Sequence, residues 1–298
     1  MKRARVAHAG AVHDAVAASP ACGAAREADG TGGEHAQLAD EGGGEHVRLA
    51  DGAGGEHVQL ADGRIVSEDA VVWLPPFEVG TVIALGLNYR DHARELQLDS
   101  QEEPLVFLKG PGSLLGHRGR TRRPADAAFM HYECELAVVI GRPARRVARE
   151  RALEHVAGYC IANDYAVRDY LENWYRPNLR VKNRDGCTVL GPWLVDAADV
   201  PDPGALGLRT FVNGKLTQQG NTRDLIFGIP VLIEYLSSFM TLSPGDVILT
   251  GTPEGVGNVM PGDVVTCEID GLGRQINSLA ADAEFGRGKH EVPCESSI

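Results

Sequence analysis

The sequence predicts a mainly β protein with a few helices, folded as a mixed β-sandwich roll. Three observations lead there. The 298 residues include 36 glycines and 16 prolines, a density of turn formers that favours strands over long helices. Apolar runs after Val71 are short and bounded by Gly, Asn or Asp, the pattern of buried strands. Strand-like and helix-like segments do not alternate regularly, which argues against a doubly wound parallel sheet.

The elements follow in order. "GTVIALGLN" (80–88) is a short buried strand, and "YRDHARELQL" (89–98) has helical composition. "PLVFLKG" (104–110) and "HYECELAVVIG" are strands, "ARERALEHVAG" (148–158) a helix, and "YCIANDYAV" (159–167) a strand. "LRTFVNGKLTQQG" (208–220) is a hairpin, because Asn213-Gly214 suits a two-residue turn. A capped helix is expected to start at "TRDLIFGIP" and to stop before Pro244. "DVILTGTP" and "DVVTCEIDGLGRQINSLA" are further strands, the last turning at Asp270-Gly271.

Residues 1–63 read differently from 64–298, and the chain is divided there into a small N-terminal region and a catalytic domain. "EHAQLAD" from Glu34, "EHVRLAD" from Glu45 and "EHVQLAD" from Glu56 repeat with an eleven-residue period between Gly-rich spacers. Duplication of one small strand with its turn explains the repeat; so short a unit is a poor solenoid. Residues 1–63 are expected to be partly mobile. His35, His46 and His57 form the alternative, a metal tract of a metal-delivery protein.

Composition excludes several classes. A formal net charge of −12 opposes sequence-independent nucleic-acid binding. No eighteen-residue apolar stretch predicts a membrane span. The N-terminus imitates a signal peptide faintly, but His8, His13 and Asp14 interrupt its apolar part. The six cysteines lack a CxxC, so structural zinc is not expected and reduced thiols of a cytoplasmic protein are.

The chemistry begins at "MHYECELAVVIG". Side chains on a strand alternate, so Glu133 and Glu135 share one face while Cys134 takes the other. Two carboxylates about 7 Å apart resist burial, and solvent, a basic partner or a cation would each satisfy them. The apolar run Leu136–Ile140 argues for an interior strand. Asp164, ending another apolar run, supplies a third carboxylate, and three oxygen donors with sites to spare suit a hard ion, Mg2+ or Mn2+. His92 and Glu95, three apart, share a helix face and fit an acid–base pair as well as an ordinary charged surface. Arg168, Arg176, Arg180, Lys182 and Arg184 give a basic stretch that suits a polyanionic small molecule or a solvated loop. "LTGTPEGVG" offers Thr250, Thr252 and turn amides to a carboxylate; it is not a P-loop.

Taken together, "GLNYRDHARE", "PLVFLKGP", "HYECELAVVIG", "IANDYAVRDY", "RVKNRDG", "TFVNGKLTQQGNTRDLIFGIPVLIEYLS" and "LTGTPEGVG" resemble the fumarylacetoacetate hydrolase family over residues ~80–285. "NDYAVRDYLENWYRPNLRVKNRDG" is most similar to its isomerase/decarboxylase branch of bacterial homoprotocatechuate (4-hydroxyphenylacetate) degradation. The resemblance implies a mixed β-sandwich roll, a homodimer and a divalent metal, Mg2+ (or Mn2+). It makes Glu133, Glu135 and Asp164 the metal ligands and His92 with Glu95 the lid-helix acid/base pair. It makes Lys182 the basic catalytic residue beside the metal, and places Lys109, Arg168 and Thr252 on the substrate. The implied substrates are 5-oxopent-3-ene-1,2,5-tricarboxylate and 5-carboxymethyl-2-hydroxymuconate, reacting through a dienolate. Acylpyruvate carbon–carbon hydrolysis is the alternative within the family, and a silent metal/diacid-binding module the alternative outside it. The triple repeat is foreign to the family. The chain does not hold the two fused copies of the bifunctional relatives, so a second activity implies a shared site or a second subunit.

Overall fold

The structure is a computed structural model, and it describes residues 1–17, 57–95, 102–171 and 178–282. The side chains of Ala93 and Glu95 fall outside that description.

The largest sheet has thirteen strands among the described residues. Its main path runs Ile65–Ser67, His57–Leu60, Ala11–Ala17, Lys2–His8, Leu194–Asp196, Val156–Asp164, Cys134–Ile140, Val247–Leu249, Val82–Gly86, Leu105–Lys109. A five-stranded sheet, ordered Lys215–Asn221, Gly207–Val212, Val264–Ile269, Gly273–Asp282, Arg120–Pro124, packs on it. The apolar core lies between them. Cys134, Leu136 and Ile161 from the large sheet meet Leu208, Val265, Cys267 and Ile269 from the small one. This is the expected mainly β architecture with few helices, two layers closing one core. No helix among the described residues is long and apolar enough to cross a membrane.

The central pair explains why this chain makes buried strands. Cys134–Ile140 reads CELAVVI and is buried along its whole length, as is most of Val156–Asp164. Strands covered on both faces need continuous apolar side chains, not alternation, and Leu136 to Ile140 supplies them. Glu135, buried with them, is the exception the site accounts for.

Three α-helices are present among the described residues: α1 (Arg90–Glu95), α2 (Leu179–Lys182) and α3 (Ile229–Phe239). In α3, Ile229, Leu232, Ile233 and Leu236 are buried, the i, i+3, i+4, i+7 stripe of a one-sided helix. The structure corrects two helical expectations. Residues 148–158 do not form an α-helix. Arg149–His155 is a 3-10 segment, and the strand begins at Val156, where pairing of Val156 with Ile140 and of Gly158 with Val139 overrides local propensity. Nor does one capped helix run from residue 222. Asn221 caps a short 3-10 turn, Thr222–Asp224, and α3 starts only at Ile229. The intervening residues are held elsewhere: Leu225 bridges Tyr89, and Ile226 and Phe227 donate to the Asn88 backbone and side-chain oxygens. Pro230, which lacks an N–H, then opens the helix.

Both expected hairpin turns are present. Asn213 and Gly214 adopt φ of 51° and 78°, as a two-residue turn between right-twisted strands requires. Residues 2–17 also form a hairpin, which the alanine-rich sequence did not announce. Lys2–His8 gains its place by pairing with Leu194–Asp196 and with Val72–Leu74. The third repeat copy is a strand, His57–Leu60, followed by a turn that Arg64 closes onto Asp62. The first two copies, with His35 and His46, lie outside the described residues.

Candidate metal centre and active site

One antiparallel ladder builds the site. Cys134 pairs with Asn163 and Glu135 with Ala162; the same register continues as His131 with Ala166 and Met130 with Val167. Between these pairs, Asp164 donates its backbone N–H to Glu133 O at 2.9 Å. Glu133 and Asp164 are therefore directly opposite, and Asp164 is diagonal to Glu135. Opposite and diagonal neighbours share a face and lie within side-chain reach. One carboxylate oxygen from each of Glu133, Glu135 and Asp164 accordingly lies within 4.8 Å of the other two, and all three residues are buried. The cluster expected from sequence is brought together.

Two ammonium groups enter it. Lys182, the last residue of α2, places Nζ 2.5 Å from Glu133 Oε2, 3.0 Å from Asp164 Oδ2 and 3.1 Å from Asp164 O. Lys109 donates from Nζ to Asp164 Oδ1 and to the carbonyl of Lys182. Its side chain is fully buried, so Lys109, expected from sequence on the substrate, here holds the Asp164 carboxylate and the end of α2. Burial works against the Lys182 ammonium, but Asp164, Glu133 and Glu135 outweigh it and raise its proton affinity above the ordinary lysine value. Burial likewise opposes the Glu133 carboxylate; Lys182 and Arg168 prevail and hold it at about 2.

Glu135 stands apart. Its Oε2 accepts the Gly251 N–H at 2.6 Å, while its buried Oε1 has no partner among the described residues. Burial, then the charges of Asp164 and Glu133, push its carboxyl well above the usual range. A buried, unpaired carboxylate oxygen facing two other carboxylates is costly unless a cation takes it. The donors are all oxygen, which suits Mg2+ or Mn2+ over zinc. Three carboxylates face two ammonium groups, so a divalent cation reverses the sign of the cluster and readies it for an anionic ligand. The residues fit the ion.

The turn after Val247–Leu249 supports the centre. Gly251 has φ 94°, and a Cβ there would come 3.1 Å from Asn88 Cβ. Glycine thus lets the backbone bring its N–H to Glu135. Thr250 Oγ1 donates to Leu136 O at 3.0 Å, and Thr252 Oγ1 accepts from Gln218 Nε2 at 3.0 Å. Both hydroxyls thus have partners inside the protein, and the first turn amide serves the Glu135 carboxylate. Asn88 donates to Thr250 O at 2.9 Å and lies two residues before α1. Because Val82–Gly86 and Val247–Leu249 run parallel, α1 leaves from the same sheet end as this turn. His92 on α1 is buried; the Glu95 side chain, and so its pairing with His92, lies outside the described residues.

The basic stretch divides. Lys182 joins the carboxylates. Arg180 stacks on Tyr170 at 4.2 Å, and Arg184 lies 3.3 Å from Asp282. Arg168 sits beside the cluster, its Nη2 3.9 Å from Glu133 Oε1; Arg176 is outside the described residues. Sequence reasoning missed His131. It is fully buried, its Nδ1 lies 3.5 Å from Glu133 Oε1, and its Nε2 accepts from Arg168 Nε at 2.7 Å. Burial lowers its proton affinity, bringing its pKa to about 4. The signal was present: His131, Glu133 and Glu135 alternate as H-x-E-x-E.

Comparison with known proteins agrees with this geometry. The family description "Fumarylacetoacetate (FAA) hydrolase C-terminal" matches residues 81–280. The chain is 55% identical over 224 residues to a 4-hydroxyphenylacetate degradation bifunctional isomerase/decarboxylase of Salmonella dublin, covering 73% of this chain and 52% of that protein. It thus spans about half the length of the curated relative it matches. A crystal structure of 5-carboxymethyl-2-hydroxymuconate delta-isomerase from Mycobacterium smegmatis superposes with a TM-score of 0.75 at 33% identity, covering 96% of this chain and 100% of the other. Fumarylpyruvate hydrolase from Pseudomonas aeruginosa, crystallised with Mn2+ and pyruvate, gives 0.65 at 32% identity, covering 70% and 92%. With the matched region holding the whole carboxylate cluster, the chain belongs to the fumarylacetoacetate hydrolase family.

Proposed function

We propose that the protein is a Mg2+- or Mn2+-dependent decarboxylase and/or isomerase of homoprotocatechuate catabolism. Its substrates would be 5-oxopent-3-ene-1,2,5-tricarboxylate and 5-carboxymethyl-2-hydroxymuconate. The observation that carries the reading is the buried face on which Glu133, Glu135 and Asp164 converge with Lys182 between two of them. The 55% identity to the isomerase/decarboxylase supports the choice of substrate.

When bound, the divalent ion supplies a Lewis acid for the oxygens of a 2-oxo acid. The chain's own residues do the rest. Glu133, Glu135 and Asp164 hold the ion. Loss of carbon dioxide leaves an electron pair that runs through the alkene to the 2-oxo oxygen, giving a dienolate. Lys182 stabilises the charge growing on that oxygen, with Lys109 holding Lys182 and Asp164 in place. His92, oriented by Glu95, moves the proton that distinguishes the keto from the enol form, help typically worth ~10²–10⁴-fold. Arg168 and the turn at Thr252 receive the remaining carboxylates. A homodimer of this chain, or a second family subunit, would be the working assembly.

Incubation of the protein with Mg2+ and the tricarboxylate tests this. Release of carbon dioxide with a rise in dienol ultraviolet absorbance, both abolished by chelation, is expected. Binding without turnover would instead indicate a silent binding module. A second reading, hydrolysis of an acylpyruvate carbon–carbon bond, is favoured by the likeness to the fumarylpyruvate hydrolase, which covers 92% of that chain. Formation of pyruvate from an acylpyruvate, with no carbon dioxide from the tricarboxylate, would establish it.

A further inference from the structure

Arg168 is the one basic residue of the site with appreciable exposure: its side chain is 29% accessible, against 6% for Lys182 and none for Lys109. A flexible arginine at a site mouth has several rotamers and loses entropy when it grips a ligand. Here one end is already fixed. Arg168 Nε lies 2.7 Å from His131 Nε2. A guanidinium nitrogen only donates, so His131 Nε2 must carry the lone pair and Nδ1 the proton. That proton has its own acceptors, Tyr132 O at 3.2 Å and Glu133 Oε1 at 3.5 Å. The imidazole is thus held on both sides and fully buried.

The ladder explains the placement. His131 pairs with Ala166, and Arg168 donates its backbone N–H to Phe129 O at 3.0 Å. Arg168 and His131 are therefore diagonal neighbours on the face that carries Glu133, Glu135 and Asp164. Along that face the order is carboxylate cluster, imidazole, guanidinium. With Nε taken by His131 and Nη2 turned to Glu133 Oε1 at 3.9 Å, Nη1 of Arg168 is left to meet a second group, beside the part of the ligand held at the cluster.

We propose that His131 is a positioning residue that aims Arg168 at the carboxylate remote from the 2-oxo end, and so sets the preference for diacids over monoacids. The inference rests on the reading of Arg168 as a substrate contact. His131 touches neither the ion nor the substrate; it fixes the direction and distance at which the second carboxylate is received.

Calorimetric titration of Mn2+-loaded protein tests it, with pyruvate, which fills the 2-oxo end alone, and 2-oxoadipate, which adds a remote carboxylate. Wild-type protein should bind 2-oxoadipate at least ~10-fold more tightly than pyruvate, a gain of the size expected for a charge-assisted hydrogen bond. His131→Phe should erase most of that gain while leaving pyruvate and Mn2+ affinity within about threefold. His131→Gln, whose side-chain oxygen can accept from Arg168, should recover part of it. Arg168→Lys, which leaves the buried imidazole untouched, should match His131→Phe, and the double variant should be no worse than either single one. Equal weakening of pyruvate and 2-oxoadipate, or additive losses in the double variant, would overturn the role of His131. If Arg168→Lys has no effect on 2-oxoadipate, the substrate role of Arg168 itself fails. If wild-type protein binds neither 2-oxo acid, the proposed function fails.

Discussion

The Lys182 ammonium lies 2.5 Å from Oε2 of Glu133, so the carboxylate face that would hold a cation already contains one. Attraction to Lys182 keeps Glu133 ionised, while repulsion between Lys182 and a divalent ion limits how tightly the ion is held. Lys182→Met should therefore raise Mn2+ affinity severalfold while lowering turnover by at least ~10²-fold, the usual scale for a lost electrostatic stabiliser. Calorimetry beside single-turnover rates checks both signs. A parallel loss of metal and activity would make Lys182 a structural support alone.

Glu135→Gln should separate stability from function. It removes the charge that burial and two carboxylates oppose, and a glutamine oxygen can still accept from Gly251. The metal-free variant should be more stable by about 1–3 kcal/mol, while Mn2+ affinity falls at least ~10-fold. Thermal melts with and without Mn2+ read both quantities. For wild-type protein, metal at 100 times its Kd should add about 2.7 kcal/mol.

His117 makes acid stability measurable at one group. Burial, with Arg118 beside it, pushes its pKa from 6.5 down to about 3, and its Nδ1 accepts the Ile276 N–H at 3.0 Å. Unfolded chain takes up a proton below pH 6.5 that the folded chain refuses, so stability falls as pH drops from 6.5 towards 3. The contribution is about 1.4 kcal/mol per pH unit. In His117→Phe the unfolding free energy should be lower at neutral pH yet flatter by that slope between pH 6 and 4.5. Urea titrations across that window give the comparison.

The division at residue 63 also has a physical test. Val6, Val58 and Leu60 are in the main core, and each buried aliphatic side chain is worth about 1.5–3 kcal/mol. Removing residues 1–63 should therefore cost at least ~5 kcal/mol of stability, yet leave Mn2+ affinity within about threefold. Excising only 18–55, with a short turn joining Ala17 to Glu56, should leave the melting temperature within a few degrees, because Ala17 already pairs with Val58 and a tight turn can close that antiparallel pair.

Much of the fold and site was legible where the pattern was local. Alternation put Glu133 and Glu135 on one face, short apolar runs marked the inner strands, and Asn213-Gly214 marked its turn. Asp164 was legible as a third carboxylate, but its place opposite Glu133 is a matter of register between distant segments. His131 was overlooked because its partner, Arg168, is 37 positions away and only the ladder makes them neighbours. The hairpin of residues 2–17 and the loss of helix at 148–158 share a cause. Both are decided by strands waiting to be paired, Leu194–Asp196 in one case and Val139–Ile140 in the other, and no local propensity records that.

The pairing of Cys134–Ile140 with Val156–Asp164 carries a wider consequence. The convergence of the three carboxylates is written into two neighbouring backbones at the heart of the molecule, while α1 and the turn at Gly251 arrive from other stretches of chain. The turn still reaches the acids, through the Gly251 N–H on Glu135, so of these two pieces α1 is the one that can vary without touching a carboxylate of the cluster. Inserting or deleting one residue in either central strand would be another matter: it would turn the acids outward to the wrong layer and end every reaction at once.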